Sequence, residues 1–207
     1  MHAHRRSEAH AETLSEVTPA FFHVVNRSAE GLHLLQRPRD YRAFVSILEE
    51  GLRRHPTRLV AYCLLSDHWH LVLGPTDPGT VAKLVRWVTA THAAAWRQHH
   101  GTEGANAYRW PARVRTLAAT ADIVRTARIV ERRALRLGLT RRAQDWPWGS
   151  LSERLRPDTA LPLVSTPFLS SIGWIDYVNT SLGEGNHLAQ RPRAFARCAQ
   201  PTDDRIR

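Results

Sequence analysis

The stretch Leu59-Val60-Ala61-Tyr62-Cys63-Leu64-Leu65-Ser66-Asp67-His68-Trp69-His70-Leu71-Val72-Leu73 decides the fold of this chain. Two apolar runs flank Ser66-Asp67, a dipeptide typical of tight turns, so the stretch predicts two strands joined by a short link. Side chains alternate between the two faces of a strand, which places His68 and His70 together on one side. The intervening apolar residues are predicted to face the core.

The paired histidines have two interpretations. Imidazole nitrogens one strand step apart can converge on a single divalent cation. A polar pair on a solvated strand face would need no ligand, and such pairs arise readily in a chain with 12 histidines. The spacing alone leaves both interpretations open.

Length and composition indicate a single domain. The chain has 207 residues, 43% of them hydrophobic, which suffices for one core. No apolar run reaches the roughly 18 residues that a membrane-spanning helix needs, and the first residues lack the apolar stretch of a secretory signal. Cys63 and Cys198 are too few for a disulfide framework. We expect a cytoplasmic protein without a membrane partner.

The charge points to nucleic acid. The formal net charge is +10, and Lys83 is the only lysine, so arginine supplies almost all of the positive charge. The planar guanidinium suits phosphates and guanine edges, which favours a nucleic-acid partner. A GC-rich genome would explain the preference for arginine over lysine, but not the excess of positive charge.

Periodicity predicts four strands and three main helices. We expect strands at residues 20–26, 57–65, 68–73 and 113–117, and helices at 39–54, 80–99 and 120–137, capped by Thr80 and Thr120 in the second and third cases. This β-α-β-β-α-β-α order predicts an α+β, ferredoxin-like fold: an antiparallel sheet with helices on one face, plus an added helix near the open face.

The domain plan has three parts. Residues 1–18 are predicted to be a flexible arm, residues 19–156 the folded domain, and residues 157–207 a partly disordered extension with a short helix at 174–179. The aromatic turn at 145–148 is interpreted as a structural clasp.

Six blocks of sequence carry a resemblance to a known family. In chain order they read HVVNRS from His23, DYRAF from Asp40, LVAYCLLSDHWHLVL from Leu59, VRWVTATHAAAWRQHHGT from Val85, RIVERRALRLGL from Arg128 and DWPWGSL from Asp145. They resemble the REP-associated tyrosine transposases, relatives of the small insertion-sequence transposases with an HUH motif and one catalytic tyrosine. The resemblance spans roughly residues 21–155.

The resemblance implies a chemistry. In that family the two histidines, here His68 and His70, hold a divalent metal such as Mg²⁺ or Mn²⁺ that polarises a scissile DNA phosphate. A tyrosine on the last helix attacks this phosphate to form a 5′-phosphotyrosine link, and a polar ligand follows one turn later. The implied substrate is single-stranded DNA beside a hairpin, such as a REP-like repeat, handled by a monomer or a homodimer.

The sequence departs from the family at the nucleophile. The family segment reads like R-Y-V-E-R-N-P-L-R-A-G-L, so Ile129 stands at the tyrosine position and Arg133 at the asparagine position. Isoleucine has no nucleophilic atom, and Arg133 places positive charge beside the expected cation. We therefore predict that strand transfer is absent or badly impaired, unless another tyrosine substitutes. Tyr108 is the best placed of the four tyrosines in the chain.

Apart from the missing nucleophile, the basic and aromatic residues of the chain are suited to binding DNA. The residues predicted to contact DNA are Arg109, Arg113, Arg115, Arg125, Arg128, Arg132, Arg133, Arg136, Tyr108 and Trp110. Alternatively, these arginines form a solvated surface and Trp110 belongs to the core. The leading hypothesis is a nucleoid-associated, transposase-derived DNA-binding protein without normal tyrosine chemistry. A metal-dependent nuclease and a protein-interaction remnant are the alternatives, so enzymatic activity stays an open question.

Overall fold

A four-stranded antiparallel sheet forms the centre of the fold. The structure, a computed structural model, describes residues 20–75, 77–102, 106–156, 158–164, 169 and 172–181. The predicted arm and the end of the extension lie outside these residues. The strands are β1 (Phe21–Arg27), β2 (Thr57–Leu64), β3 (His68–Pro75) and β4 (Arg113–Leu117), in the order β2-β3-β1-β4. Since β1 and β2 enclose β3, and β3 and β4 enclose β1, two β-α-β units interleave, as the predicted α+β fold requires.

The β2–β3 pair confirms the prediction from the deciding stretch. Leu64 pairs with Trp69 and Cys63 pairs with His70 across the short link, and the register shifts once between Leu59 and Ala61. Every residue of β3 is buried, because β3 is a central strand covered on both faces.

Helices α1 (Pro38–Arg54) and α2 (Pro78–His100) cover one face of the sheet. The apolar stripe of α1 is buried there, and Phe44 lies against Trp69 of β3. Gly51 permits the close approach of the two helices, because a Cβ at this position would lie 2.8 Å from the Val88 Cγ2 atom of α2. This face is the main hydrophobic core.

Two predicted helix caps are wrong. The N-cap of α2 is Asp77 rather than Thr80: its side chain accepts a hydrogen bond from the Gly79 backbone N–H, and Pro78 is the first helical residue. Proline suits this position, because its φ angle is helical and the missing N–H would have no partner there. The third helix begins after Ala119, so Thr120 is its first residue and not its cap.

The third helix lies on the opposite face of the sheet. Helix α3 (Thr120–Glu131) packs on β2 and β3, and α4 (Arg133–Arg136) continues it after an irregularity at Arg132. The chain turns at Gly138, whose φ of +70° favours glycine, as the predicted stop requires. The third helix therefore lies on the open face of the sheet, as predicted.

The segment after α4 holds the edge of the sheet. The Trp146 Nε1 atom donates to the Leu64 carbonyl over 3.0 Å, the Trp148 carbonyl accepts from the Leu64 N–H, and the Trp148 ring stacks on Tyr41 at 4.8 Å between centroids. These contacts cover the β2 edge strand, so the aromatic turn is a structural clasp, as predicted.

Two short helices follow the clasp, α5 (Ser150–Arg154) and α6 (Ile172–Asn179), and the second confirms the predicted short helix. Buried Glu131 at the end of α3 joins both. One carboxylate oxygen accepts from the Ser150 hydroxyl at 2.7 Å and from Arg154, and the other accepts from the Trp174 indole at 2.6 Å. Helices α3, α5 and α6 thus meet at one buried carboxyl group. None of the helices described is both long and apolar enough to cross a bilayer.

Candidate functional site

A cluster of histidines lies between the sheet and the third helix, and we call it the histidine pocket. Its residues are His23, Asp67, His68, His70 and Arg133. His68 and His70 share a face of β3, as the alternation predicts. Their exposed fractions are only 4% and 6%, because the third helix covers this face. The interpretation as a solvated strand face is therefore wrong.

Hydrogen bonds orient the rings. The His68 Nδ1 atom lies 2.6 Å from Asp67 Oδ1, and the Arg133 Nε–H donates to His68 Nε2 over 3.4 Å. This pattern assigns the ring proton to Nδ1 of His68. The His70 Nδ1 atom lies 3.1 Å from His23 Nε2. The buried His70 Nε2 atom has no hydrogen-bond partner among the described residues.

His23 and His70 are held in the neutral form. Burial, followed by the charges of neighbouring groups including His68, His23 and Arg133, lowers the pKa of His70 to about 2. Burial, together with Arg115 and Arg133, lowers the pKa of His23 to about 4. Neutral imidazole is the form that binds metals, but the positive charges that keep it neutral also oppose a cation.

The surroundings of the paired histidines oppose the binding of a divalent cation. No group of three or more histidine, cysteine, aspartate or glutamate side chains in the described ranges is arranged to hold a metal. The third ligand position implied by the family resemblance belongs to Arg133, whose guanidinium points at His68 Nε2 and donates to it. An Nε2 lone pair that accepts from a guanidinium is not offered to a metal.

Helical register places Ile129 beside this pocket. Thr126, three residues earlier, accepts a hydrogen bond from Arg115 of β4 at 3.0 Å, and Arg133, four residues later, reaches His68. Residues at these spacings share a side of a helix, so half-buried Ile129 lies between two residues that contact the sheet.

The other tyrosines are engaged elsewhere. Tyr108, predicted to stack on DNA bases or replace the missing nucleophile, is 8% exposed and bonds Trp69 and His92 on the opposite face of the sheet. Its burial and its partners disfavour both assignments of Tyr108. Tyr41 stacks on Trp148, Tyr62 donates to Glu153, and the Tyr177 ring lies under Arg128.

Arg128 and Arg132, both predicted to contact DNA, have hydrogen-bond partners within the fold. Arg128 donates to the carbonyls of Tyr177 and Thr180, and Arg132 donates to those of Val178 and Asn179. Both arginines therefore cap the C-terminus of α6, where carbonyls lack partners and positive charge is favoured. A signal existed in the sequence, since α6 has no basic residue in its own last turn.

The remaining basic residues line an exposed sheet edge, which we call the β4 surface. Its members are Arg27, Arg109, Trp110, Arg113 and Arg115. Four of the five residues of β4 are exposed, and Trp110 is 64% exposed. Three members, Arg27, Arg109 and Arg113, border a cleft of about 400 Å³ together with Asp67, so this cleft adjoins the histidine pocket. Because Trp110 is exposed, its alternative assignment to the core is wrong. Arg125 of α3 and Arg136 of α4, which are also predicted to contact DNA, are exposed.

Sequence reasoning missed His23 and Arg27 of β1. Antiparallel pairing sets Val25 against His70 and Arg27 against His68, so alternate β1 residues share the face of the paired histidines. The alternation of His23, Val25 and Arg27 is visible in the sequence. Only the β1–β3 register shows that these residues face the paired histidines.

We predict that the protein loses stability as the pH falls from 6.5 towards 4. Burial lowers the pKa of His92 to about 4, and the pKa values of His23 and His70 are lowered as above. In this window the unfolded chain takes up protons at these residues and the folded chain does not, so acid favours unfolding. The slope should reach about 1.4 kcal/mol per pH unit for each of His70 and His92, and less for partly exposed His23.

Urea unfolding across that pH range measures this slope. His92→Asn should make it shallower. A urea midpoint that stays constant over the range would contradict the prediction.

Comparison with known proteins supports the fold. No family model matches the sequence, and no curated protein matches it. Among solved structures, a REP-associated tyrosine transposase bound to a REP hairpin matches with a TM-score of 0.52 and 15% identity, over 75% of this chain and 86% of that chain. This likeness shows a shared fold. A candidate transposase from Deinococcus radiodurans R1 matches with a TM-score of 0.38 and 21% identity, over 49% of this chain and 81% of that one, which is too partial to add to the conclusion.

Proposed function

We propose that this protein is a transposase-derived DNA-binding protein that recognises hairpin-forming single-stranded DNA and lacks tyrosine strand transfer. The observation that carries the proposal is the β4 surface, an exposed basic edge with an exposed tryptophan beside the histidine pocket. The fold that the chain shares with a transposase bound to a REP hairpin supports the same interpretation.

The charge of the β4 surface supports a phosphate-bearing ligand. Arg27, Arg113 and Arg115 lie on one face of adjacent strands, since Val25 pairs with Arg113 and His23 pairs with Arg115. Like charges at this spacing repel one another unless an anion lies between them. A DNA backbone supplies such anions at regular intervals and releases counterions on binding.

Trp110 favours unpaired bases over a duplex. An indole that is 64% exposed costs free energy in water, and every nucleobase offers a face on which it can stack. Bases in a hairpin loop or flanking single strand are accessible for stacking, whereas those in a duplex are not. A hairpin with a single-stranded flank therefore offers phosphates to the arginines of the β4 surface and unpaired bases to Trp110.

The absence of tyrosine chemistry rests on two residues. Ile129 occupies the position that the family resemblance assigns to the nucleophile, and the four tyrosines have partners elsewhere in the fold. Arg133 occupies the position that the family resemblance assigns to a polar metal ligand, and it donates to His68. A protein that keeps the basic surface without the nucleophile would bind chromosomal hairpins without cutting them, as a monomer or a homodimer in the nucleoid.

Gel-shift titrations with a hairpin, its unfolded single strand and the matching duplex test the proposal at several salt concentrations. We expect the hairpin with a single-stranded flank to bind most tightly. Its affinity should fall linearly on a log–log plot against salt. Equal affinity for all three DNAs, or binding that ignores salt, would refute the proposal.

Trp110→Ala should weaken hairpin binding about tenfold, in line with the loss of one stacked base. The matched control is Leu155→Ala, which removes another exposed apolar side chain, 54% exposed, from outside the β4 surface. The control should leave the affinity unchanged. Equal affinity of the Trp110→Ala variant and the unmodified protein would remove Trp110 from the interface.

A metal-dependent nuclease is the second candidate, and the partnerless His70 Nε2 atom favours it, because a buried nitrogen without a partner is a suitable ligand atom. A labelled hairpin incubated with Mn²⁺ decides the matter: nicking that His68→Ala abolishes would support the nuclease. If the protein binds no nucleic acid at all, the basic surface is better assigned to an acidic protein partner.

A further inference from the structure

We infer that the guanidinium of Arg133 takes the place of the divalent cation, so that the histidine pocket binds a DNA phosphate without a metal. The inference rests on the proposed function for its ligand, a phosphodiester of the DNA backbone. The replacement of a metal ion by the Arg133 guanidinium follows from the geometry of the histidine pocket and does not depend on the proposed function.

Arg133 is anchored at one end and free at the other. Its Nε–H donates to His68 Nε2, and the described residues provide no hydrogen-bond or ion-pair partner for its two terminal amino groups. The side chain is only half-buried. A guanidinium presents five N–H donors in a planar fork, so the terminal groups can take two oxygens of one phosphate.

Asp67 and His68 hold this fork in place. Asp67 Oδ1, 2.6 Å from His68 Nδ1, accepts the ring proton and turns the Nε2 lone pair towards Arg133. In metal sites a carboxylate behind a histidine orients the ring for the metal in the same way. Here the oriented lone pair receives an N–H of arginine, so the arrangement positions a cation that belongs to the chain itself.

The positive charges around Arg133 favour the binding of an anion. Burial, followed by the charge of Arg27 and then of Arg136, lowers the pKa of the Arg133 guanidinium, although arginine stays protonated at any physiological pH. Asp67, the nearby carboxylate, is already engaged by His68. A phosphate between Arg133 and Arg27 would relieve their repulsion, whereas a divalent cation would add to it.

Mn²⁺ binding and hairpin binding together test the inference. Electron paramagnetic resonance should show no bound Mn²⁺ in the unmodified protein, and hairpin affinity should be the same in Mn²⁺ and in EDTA. Arg133→Asn should weaken hairpin binding in EDTA about tenfold, the loss expected for a charge-assisted hydrogen bond to phosphate. The matched control is Arg86→Asn, which removes an exposed arginine from α2 on the other face of the sheet and should have less effect.

Arg133→Lys separates binding from folding. Lysine keeps the charge without the fork, so its affinity should lie between those of the unmodified protein and Arg133→Asn. Near-ultraviolet circular dichroism of all variants reports whether the core is intact. Mn²⁺ bound by the unmodified protein, or hairpin binding that requires Mn²⁺, would overturn the inference.

A failure of DNA binding would not leave the inference untested. In that case, inorganic phosphate is titrated while the imidazole signals of the histidines are followed by NMR. Phosphate should shift the signals of the unmodified protein and not those of Arg133→Asn. Unshifted signals in both proteins would reject the phosphate site independently of the proposed DNA function.

Discussion

The double variant Ile129→Tyr/Arg133→Asn should cut hairpin DNA in the presence of Mn²⁺, whereas the unmodified protein should not. The tyrosine would supply the missing nucleophile at a position beside the histidine pocket. The asparagine would free the His68 Nε2 lone pair, which now accepts from Arg133, and remove a positive charge from the pocket. Stabilisation of the reacting phosphate by a metal is worth several kcal/mol, so we expect a gain of about a thousandfold over background cleavage.

The reaction leaves a diagnostic product. The phenol oxygen forms a bond to phosphorus, and the bond from phosphorus to the 3′ oxygen breaks. The upstream strand leaves with a 3′ hydroxyl that takes up a proton in place of the one the phenol loses, and the protein stays attached to the 5′ phosphate of the downstream strand. The downstream strand of a substrate labelled at its 3′ end therefore migrates with the protein on a denaturing gel. Ile129→Phe/Arg133→Asn has the same ring without the hydroxyl and should form no adduct. An adduct that survives His68→Ala in the double-variant background, or the absence of any adduct, would contradict the assignment of these positions.

Glu131→Ala should destabilise the protein by about 3–5 kcal/mol, the usual cost of removing one partner of a buried charged pair. Glu131 is 3% exposed and accepts hydrogen bonds from Ser150, Arg154 and Trp174. Its loss would remove three hydrogen bonds that join α5 and α6 to the end of α3. The midpoint of thermal unfolding should fall by about 10 °C.

Two variants accompany this measurement. Glu131→Gln keeps an acceptor oxygen for Ser150 or Trp174 and should lose less stability than Glu131→Ala. Glu49→Ala removes an exposed carboxylate from α1 and should shift the midpoint by less than about 1 °C, since exposed charges contribute little. If Glu131→Ala unfolds at the same temperature as Glu49→Ala, the buried carboxyl group does not join the three helices.

The sheet could be predicted because its signals are local. Alternation of side chains in the deciding stretch placed His68 and His70 on one face, and the turn at Ser66-Asp67 set the link between β2 and β3. The predicted strands and helices agree with the structure to within a few residues. The largest differences are the earlier start of α2 and the irregularity at Arg132, because caps and helix ends depend on single side-chain contacts.

The contacts of individual arginines and tyrosines could not be predicted from the sequence. Arg128 and Arg132 belong to the same basic run as Arg133, yet the first two cap α6 and the third enters the histidine pocket. Positions on a helix determine which residues share a side, but not which neighbouring element lies there. Tyr108 has the polarity of a surface residue, and its burial depends on Trp69 and His92 from two other elements.

The sequence by itself determined the α+β fold and the shared face of His68 and His70. It also determined that a hydrocarbon and a guanidinium, at Ile129 and Arg133, stand where the family that the sequence resembles has a phenol and an amide. These properties follow from short-range periodicity and from residue chemistry. Only the tertiary structure decided that the histidines are buried, that His23 joins them, and that Arg133 donates to His68 Nε2. Contacts of this kind join residues far apart in the chain, and their partners are chosen by packing rather than by local sequence.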